Sequence, residues 1–199
     1  LRVVPAFATG LDARPAVERY FLAEGRATVD AVLSLTGFSL VGGPAYNDAR
    51  AAEELLATLD LPYVAAMPVE FQTLEQWEQS ERGLLPVEAT MMVAIPELDG
   101  ATGSMVFGGR SPHTAGDALH DMQAHSERAD ALAARVGKLV DLRRSQRATR
   151  KVAVVLFNFP PNAGNTGTAA FLGVFESLHN TLAAMRREGY TVEVPETVD

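Results

Sequence analysis

The 199 residues contain no cysteine. Disulfides and thiolate metal centres are thereby excluded, and a reducing compartment fits. Positive charge is scarce, with 17 Lys+Arg against 25 Asp+Glu and a formal net charge of -8. Nonspecific nucleic-acid binding needs a basic surface, so no nucleic-acid partner is expected. No apolar run approaches the roughly 20 residues that cross a bilayer. No basic segment followed by an apolar one opens the sequence, so no transmembrane segment or secretory signal is read, and the expected location is cytoplasmic. The glycine-rich turns lack both a following Gly-Lys-Ser/Thr and the Gly-x-Gly-x-x-Gly spacing, which excludes the common nucleotide-binding loops. The histidines, His113, His120, His125 and His179, form no pair at the helical spacing of metal ligands.

What is present is an ordinary globular balance, 47% apolar and 21% charged, enough to bury a core without staples. Strand-like runs recur at residues 2–8, 31–35, 63–69, 89–95 and 152–159, and weakly at 191–194. Helix-like stretches lie between most of them, at 15–22, 48–59, 74–82, 118–150 and 168–187. Asn47 or Asp48 and Thr73 are natural N-caps for the second and third. The alternation predicts an α/β fold: a mostly parallel sheet flanked by helices, Rossmann- or flavodoxin-like, with one long helix before the last main strand. The expected organisation is a first α/β unit over 1–110 and a loop with the long helix over 111–151. A strand–loop–helix unit over 152–199 then completes the α/β domain. Residues 100–117, rich in glycine, read as a mobile loop or linker.

Three places have chemical potential. After the run at 152–159 comes a small-residue turn, Asn162, Ala163, Gly164, Asn165, Thr166 and Gly167, then a helix. Such a turn presents backbone N–H groups and a positive helix end to an anion, although a plain strand-to-helix turn needs small residues too. A second glycine turn, with Gly42 and Gly43, follows the run at 31–35, and open α/β sheets bind ligands beyond the carboxyl ends of their strands. Third, the run at 89–95 leads into Pro96-Glu97-Leu98-Asp99-Gly100. In an extended chain residues i and i+2 point the same way, so Glu97 and Asp99 face one site, as proton acceptor or as ligands of a hard cation such as Mg²⁺; the plain alternative is a pair of solvated acids. Glu70 and Glu88 border strands singly. Trp77 and Phe71 read as packing residues, and Arg143, Arg144, Arg147, Arg150 and Lys151 as a solvated basic face.

Four segments occur in order: SLTGFSLVGGPAYNDARAA, PYVAAMPVEFQTLEQW, GLLPVEATMMVAIPELDGATGSMVFGGR and VAVVLFNFPPNAGNTGTAAFLGVFESL. Together they resemble the large H subunit family of magnesium chelatase, bacteriochlorophyll type, to which the cobaltochelatase large subunit is related. The resemblance implies an internal portion of a subunit several times longer, whose remainder is one partner. It implies protoporphyrin IX and Mg²⁺ as substrates of an ATP-dependent metal–nitrogen ligase in (bacterio)chlorophyll biosynthesis. ATP is hydrolysed by the I and D subunits, the other partners. By the PELDG motif it implies Glu97 first and Asp99 second as catalytic or metal-holding acids. The propionates then fall to the helix start near Thr168 or to Arg110. The alternative readings are a non-catalytic module for an anionic small molecule and a scaffold domain within the large subunit.

Overall fold

The computed structural model describes residues 1–43, 46–111, 122–157 and 173–198. It divides into two compact units, Leu1–Val140 and Asp141–Asp199. In the first, helix α1 (Arg14–Phe21) opens with a proline in its first turn, where the missing N–H is harmless. A short hairpin follows, β1 (Leu22–Ala23) with β2 (Arg26–Ala27), then strand β3 (Val32–Ser34). A second tight hairpin, β4 (Gly42–Gly43) with β5 (Tyr46–Asn47), leads into helix α2 (Ala49–Leu59). Asp48 caps that helix by accepting from the N–H of Ala51. The long strand β6 (Tyr63–Thr73) runs into helix α3 (Leu74–Gln79), where Thr73 and Gln76 form a reciprocal capping box.

The sheet order is β3–β6–β7–β8, with β7 at Met105–Arg110 and β8 at Met122–Ala124. The first three strands are parallel and β8 is antiparallel, so the fold is mixed α/β with a mostly parallel sheet, as expected. Tyr63 to Val69 are all buried, as a central parallel strand requires. Tyr63 and Ala65 pack with Ala52, Leu55 and Leu59 of α2. On the opposite face Val64 and Ala66 pack with Leu132, Val136 and Leu139 of helix α6 (Ser126–Arg144). Pro68 lacks an N–H yet lies inside β6. It is tolerated because β3 pairs only with Tyr63 to Ala65, and beyond that point the Gly37 turn, at φ 71°, packs on the proline ring.

Several expected strands do not form. Residues 89–95 are helical: α4 (Pro86–Ala89), a π-helical turn (Thr90–Ala94) and α5 (Ile95–Leu98) run as one stretch. A seven-residue apolar run reads equally well as a buried strand or a helix, and here Pro86 in the first turn favours the helix. Pro96 cannot donate an i→i−4 bond, and the wider turn, closed by Ile95 N–H to Thr90 O, accommodates it. Residues 2–8 are exposed and join no strand among the described residues. Residues 152–157 join no strand among the described residues, and neither do 191–194.

The opposite correction applies to 105–110, within the segment expected to be a loop, which is instead the third strand of the sheet. Its glycines hid it from a propensity argument, and close packing requires them. A Cβ on Gly108 would meet the Gln123 carbonyl oxygen at 2.3 Å, and one on Gly109 would meet Val69 Cγ2 at 2.6 Å.

The second unit carries a 3₁₀ turn (Arg147–Thr149) and helix α7 (Val174–Arg187), which ends in Arg186 and Arg187 with Gly189 beyond at φ 88°. Part of the basic run is used internally. Arg147 pairs with Glu188 at 2.7 Å, and Arg150 donates to Ser145 Oγ at 2.9 Å and to the Tyr190 hydroxyl at 3.2 Å.

Candidate functional site

Asp99 follows α5 directly and is only 2% exposed. Its Oδ2 accepts from the Ser39 hydroxyl at 2.6 Å and from the Leu40 N–H at 2.8 Å, and its Oδ1 accepts from Asn47 Nδ2 at 3.3 Å. Three protein donors therefore satisfy a buried carboxylate with no cation among them. The carboxylate ties the end of the 86–98 helical stretch to the 39–47 hairpin. Beside it lies the buried Tyr63 ring. The Tyr63 hydroxyl has no hydrogen-bond partner among the described residues, and burial, with a smaller push from the Asp99 charge, raises its pKa to about 12. Ser34 lies near enough to pull the other way, by more than Asp99 adds, but its hydroxyl is engaged with Thr36 at 3.0 Å.

Glu97 behaves oppositely. It is exposed, and no hydrogen bond of its side chain occurs among the described residues. Residues i and i+2 on a helix lie about 200° apart, so the helical conformation removes the premise that the two acids face one site. Sequence spacing placed them together only because the run before them read as a strand. No group of three or more metal-ligating side chains occurs among the described residues.

Gly42 and Gly43 have a packing reason to be glycine. Gly42 has φ 116°, its N–H donates to the Leu11 carbonyl at 2.5 Å, and a Cβ there would meet the Tyr46 carbonyl oxygen at 2.2 Å. A Cβ on Gly43 would meet Leu11 Cδ1 at 2.9 Å. Both residues are buried. The structure thus brings this turn to Asp99, as a shared support rather than as an open floor.

A second constellation sits at the carboxyl end of the sheet. Between the pairs Val69–Gly109 and Thr73–Arg110 the register shifts: β6 advances four residues while β7 advances one. Glu70, Phe71 and Gln72 form the resulting bulge. Glu88, 0% exposed, holds it from one side: Oε1 accepts from the Phe71 N–H at 3.2 Å, and Oε2 accepts from Gln72 Nε2 at 2.5 Å and the Leu85 N–H at 3.0 Å. Arg110 holds it from the other, its Nε donating to the Glu70 carbonyl. Glu88 and Arg110 stand far from Glu70 in sequence, and no local signal joins them, because Val69, Glu70, Phe71 and Gln72 alternate apolar and polar as a regular strand does. Asp99, close to Tyr63, and Arg110, paired with Thr73, belong to opposite ends of β6, about 30 Å apart in an extended strand.

The loop residues Asn162, Gly164, Asn165, Thr166 and Gly167 lie outside the described residues. An open surface cleft of about 430 Å³ is lined by Trp77, Glu78, Gly83, His125 and Arg128 among others. There His125 is structurally engaged: Nδ1 accepts from the Arg128 N–H at 3.3 Å, capping α6, and Nε2 meets Glu78.

Comparison with known proteins decides the kinship. The sequence profile described as CobN/Magnesium Chelatase matches residues 1–199. The chain belongs to this family. It is 55% identical over 211 aligned residues to the magnesium-chelatase H protein of Cereibacter sphaeroides, covering 100% of this chain and 18% of that protein. Against the magnesium-chelatase H protein of Rhodobacter capsulatus identity is 51%, with 98% of this chain and 17% of that protein covered. Against the chloroplastic magnesium-chelatase protein ChlH of Oryza sativa subsp. indica it is 43%, covering 100% and 14%. The chain thus spans less than a fifth of the length of these magnesium-chelatase relatives. Of the four motifs that carry the resemblance, the second and third lie wholly on described elements of this family member, from β6 through β7. No helix among the described residues is long and apolar enough to cross a membrane.

Proposed function

We propose that this chain forms the porphyrin-side segment of an H-type subunit of an ATP-dependent magnesium chelatase, working in the cytoplasm with I- and D-type subunits that hydrolyse the ATP. One observation carries the reading. Of the two acids in the PELDG motif of this family member, Asp99 is buried and saturated by protein donors while Glu97 is exposed and unbonded among the described residues. A proton acceptor must reach its substrate, so the chemistry falls to Glu97, and Asp99 positions the helix that presents it.

Metallation exchanges two pyrrole protons for one Mg²⁺, an ion that gives up its water reluctantly. Glu97, open to solvent, accepts the two pyrrole protons in turn and hands each to water, and between the transfers its free carboxylate offers the oxygen ligand that Mg²⁺ prefers. Arg110, the cation the sequence offered for a propionate, ends β7 at the opposite end of β6 from the Glu97 end, about 30 Å away in an extended strand, and so does not serve the ring that Glu97 meets. The loop residues Asn162, Gly164, Asn165, Thr166 and Gly167 are candidates for the same task on their sequence pattern alone.

The test is Glu97→Ala and Glu97→Gln in the full-length protein, assayed for Mg-porphyrin fluorescence with both partner subunits, ATP and protoporphyrin IX. Loss of an acid–base group predicts a fall of about a hundredfold or more in rate. Unaltered turnover in both variants overturns the reading.

A further inference from the structure

His125 is held at both of its ring nitrogens, and the two contacts make opposite demands. At Nδ1 the ring accepts from the Arg128 N–H at 3.3 Å, in the first turn of helix α6, so this nitrogen carries no proton. At Nε2 it stands 2.5 Å from Glu78 Oε1 of helix α3, and an ionised carboxylate only accepts, so this nitrogen carries one. Only the neutral imidazole with its proton on Nε2 satisfies both. The ring is also fixed in place. The His125 N–H donates to the Phe107 carbonyl of β7 at 2.9 Å, and its own carbonyl accepts from the Ala129 N–H at 2.9 Å. Trp77 meets the imidazole edge-on, with 6.3 Å between ring centroids. The side chain is 23% exposed, so protons from solvent reach it. The sequence offered His125 no partner, because Glu78 stands 47 residues earlier.

A second proton has one place to go, Nδ1, and there it meets the Arg128 N–H donor to donor. The cap is lost, and a positive charge then stands at the positive end of the α6 dipole. The Glu78 contact is strengthened, because it becomes an ion pair. The charged groups that line the surface cleft with His125 are Glu78 from α3 and the mutually paired Glu127 and Arg128 from α6, while β7 offers a backbone carbonyl. Two carboxylates thus face one guanidinium while His125 is neutral, and the charges balance once it is protonated. We propose that His125 is a proton-operated tie between α3 and α6. Neutral, it caps α6 and reaches Glu78 at once, joining the two helices. Protonated, it releases the first turn of α6 and keeps only Glu78. The inference stands apart from the porphyrin reading and uses none of its residues.

The experiment follows amide hydrogen exchange of the full-length protein by mass spectrometry at about pH 8 and about pH 5, the span over which histidine changes charge. The intrinsic pH dependence of exchange is divided out. Peptides covering residues 126–131 report the first turn of α6, and peptides covering 132–140 report its packed middle. The first turn is expected to lose about fivefold of its protection at the lower pH, while the middle keeps its own. His125→Asn supplies a capping acceptor that does not titrate and is expected to hold the first turn equally at both values. His125→Ala is expected to leave it loose at both. A parent first turn equally protected at the two values overturns the inference, and so does loosening of the first turn and the middle together. A His125→Asn protein that keeps the parent's pH step overturns it as well.

Discussion

The Asp99 carboxylate accepts a 2.6 Å hydrogen bond from the Ser39 hydroxyl, sixty residues earlier in the chain. That contact, with the Leu40 N–H and Asn47 amide on the same carboxylate, fixes the 39–47 hairpin against the end of the helical stretch that carries Glu97. Asp99→Ala leaves a buried N–H and a buried hydroxyl without their acceptor. The expected loss is about 3 kcal/mol, or about 8 °C in melting midpoint, measured by thermal unfolding. Ser39→Ala, which removes one donor and leaves the rest, is expected to cost about 1 kcal/mol.

Gly109 tests the packing of β7 on β6. A Cβ there would lie 2.6 Å from Val69 Cγ2 and 2.8 Å from the Val69 carbonyl oxygen, and backbone is not free to yield. Gly109→Ala is expected to destabilise the sheet by about 3 kcal/mol and to speed amide hydrogen exchange in β7 and its neighbours. Gly25→Ala is a poor control, since its φ of 73° adds strain; Gly10→Ala, with nothing within 4 Å, should be nearly silent.

Tyr63 sets an alkaline limb. Burial raises its pKa from 10.0 to about 12, so the folded state holds the phenolic proton more tightly than the unfolded chain does. The contribution is fully present below pH 10 and is lost as pH rises from 10 through about 12. Tyr63→Phe removes both the titration and a buried hydroxyl that lacks a partner among the described residues. Urea midpoints at pH 7 and pH 11 are expected to show a gain of about 1 kcal/mol at the lower pH and a shallower fall to the higher one.

How much of this was legible in the sequence follows from the physics of each element. The Asp48 and Thr73 caps, the apolar face of α2 and the unbroken burial of Tyr63 to Val69 in β6 were readable because local spacing and packing agree there. The strand β7 was not, because its glycines answer to neighbours distant in sequence. The 86–98 helix was misread as a strand because a short apolar run carries no decisive period, and with it went the shared facing of Glu97 and Asp99. The expectation that Phe71 packs inside failed for a third reason: the bulge that turns it out depends on Glu88 and Arg110, 17 and 39 residues away.

The division of labour between the two acids is open to a direct comparison of Glu97→Gln with Asp99→Asn in the full-length protein, reading Mg-porphyrin formation and melting midpoint on the same samples. Glu97→Gln is predicted to keep the midpoint and lose turnover, and Asp99→Asn to lower the midpoint by several degrees. A Glu97→Gln protein that inserts Mg²⁺ at the parent rate contradicts the account.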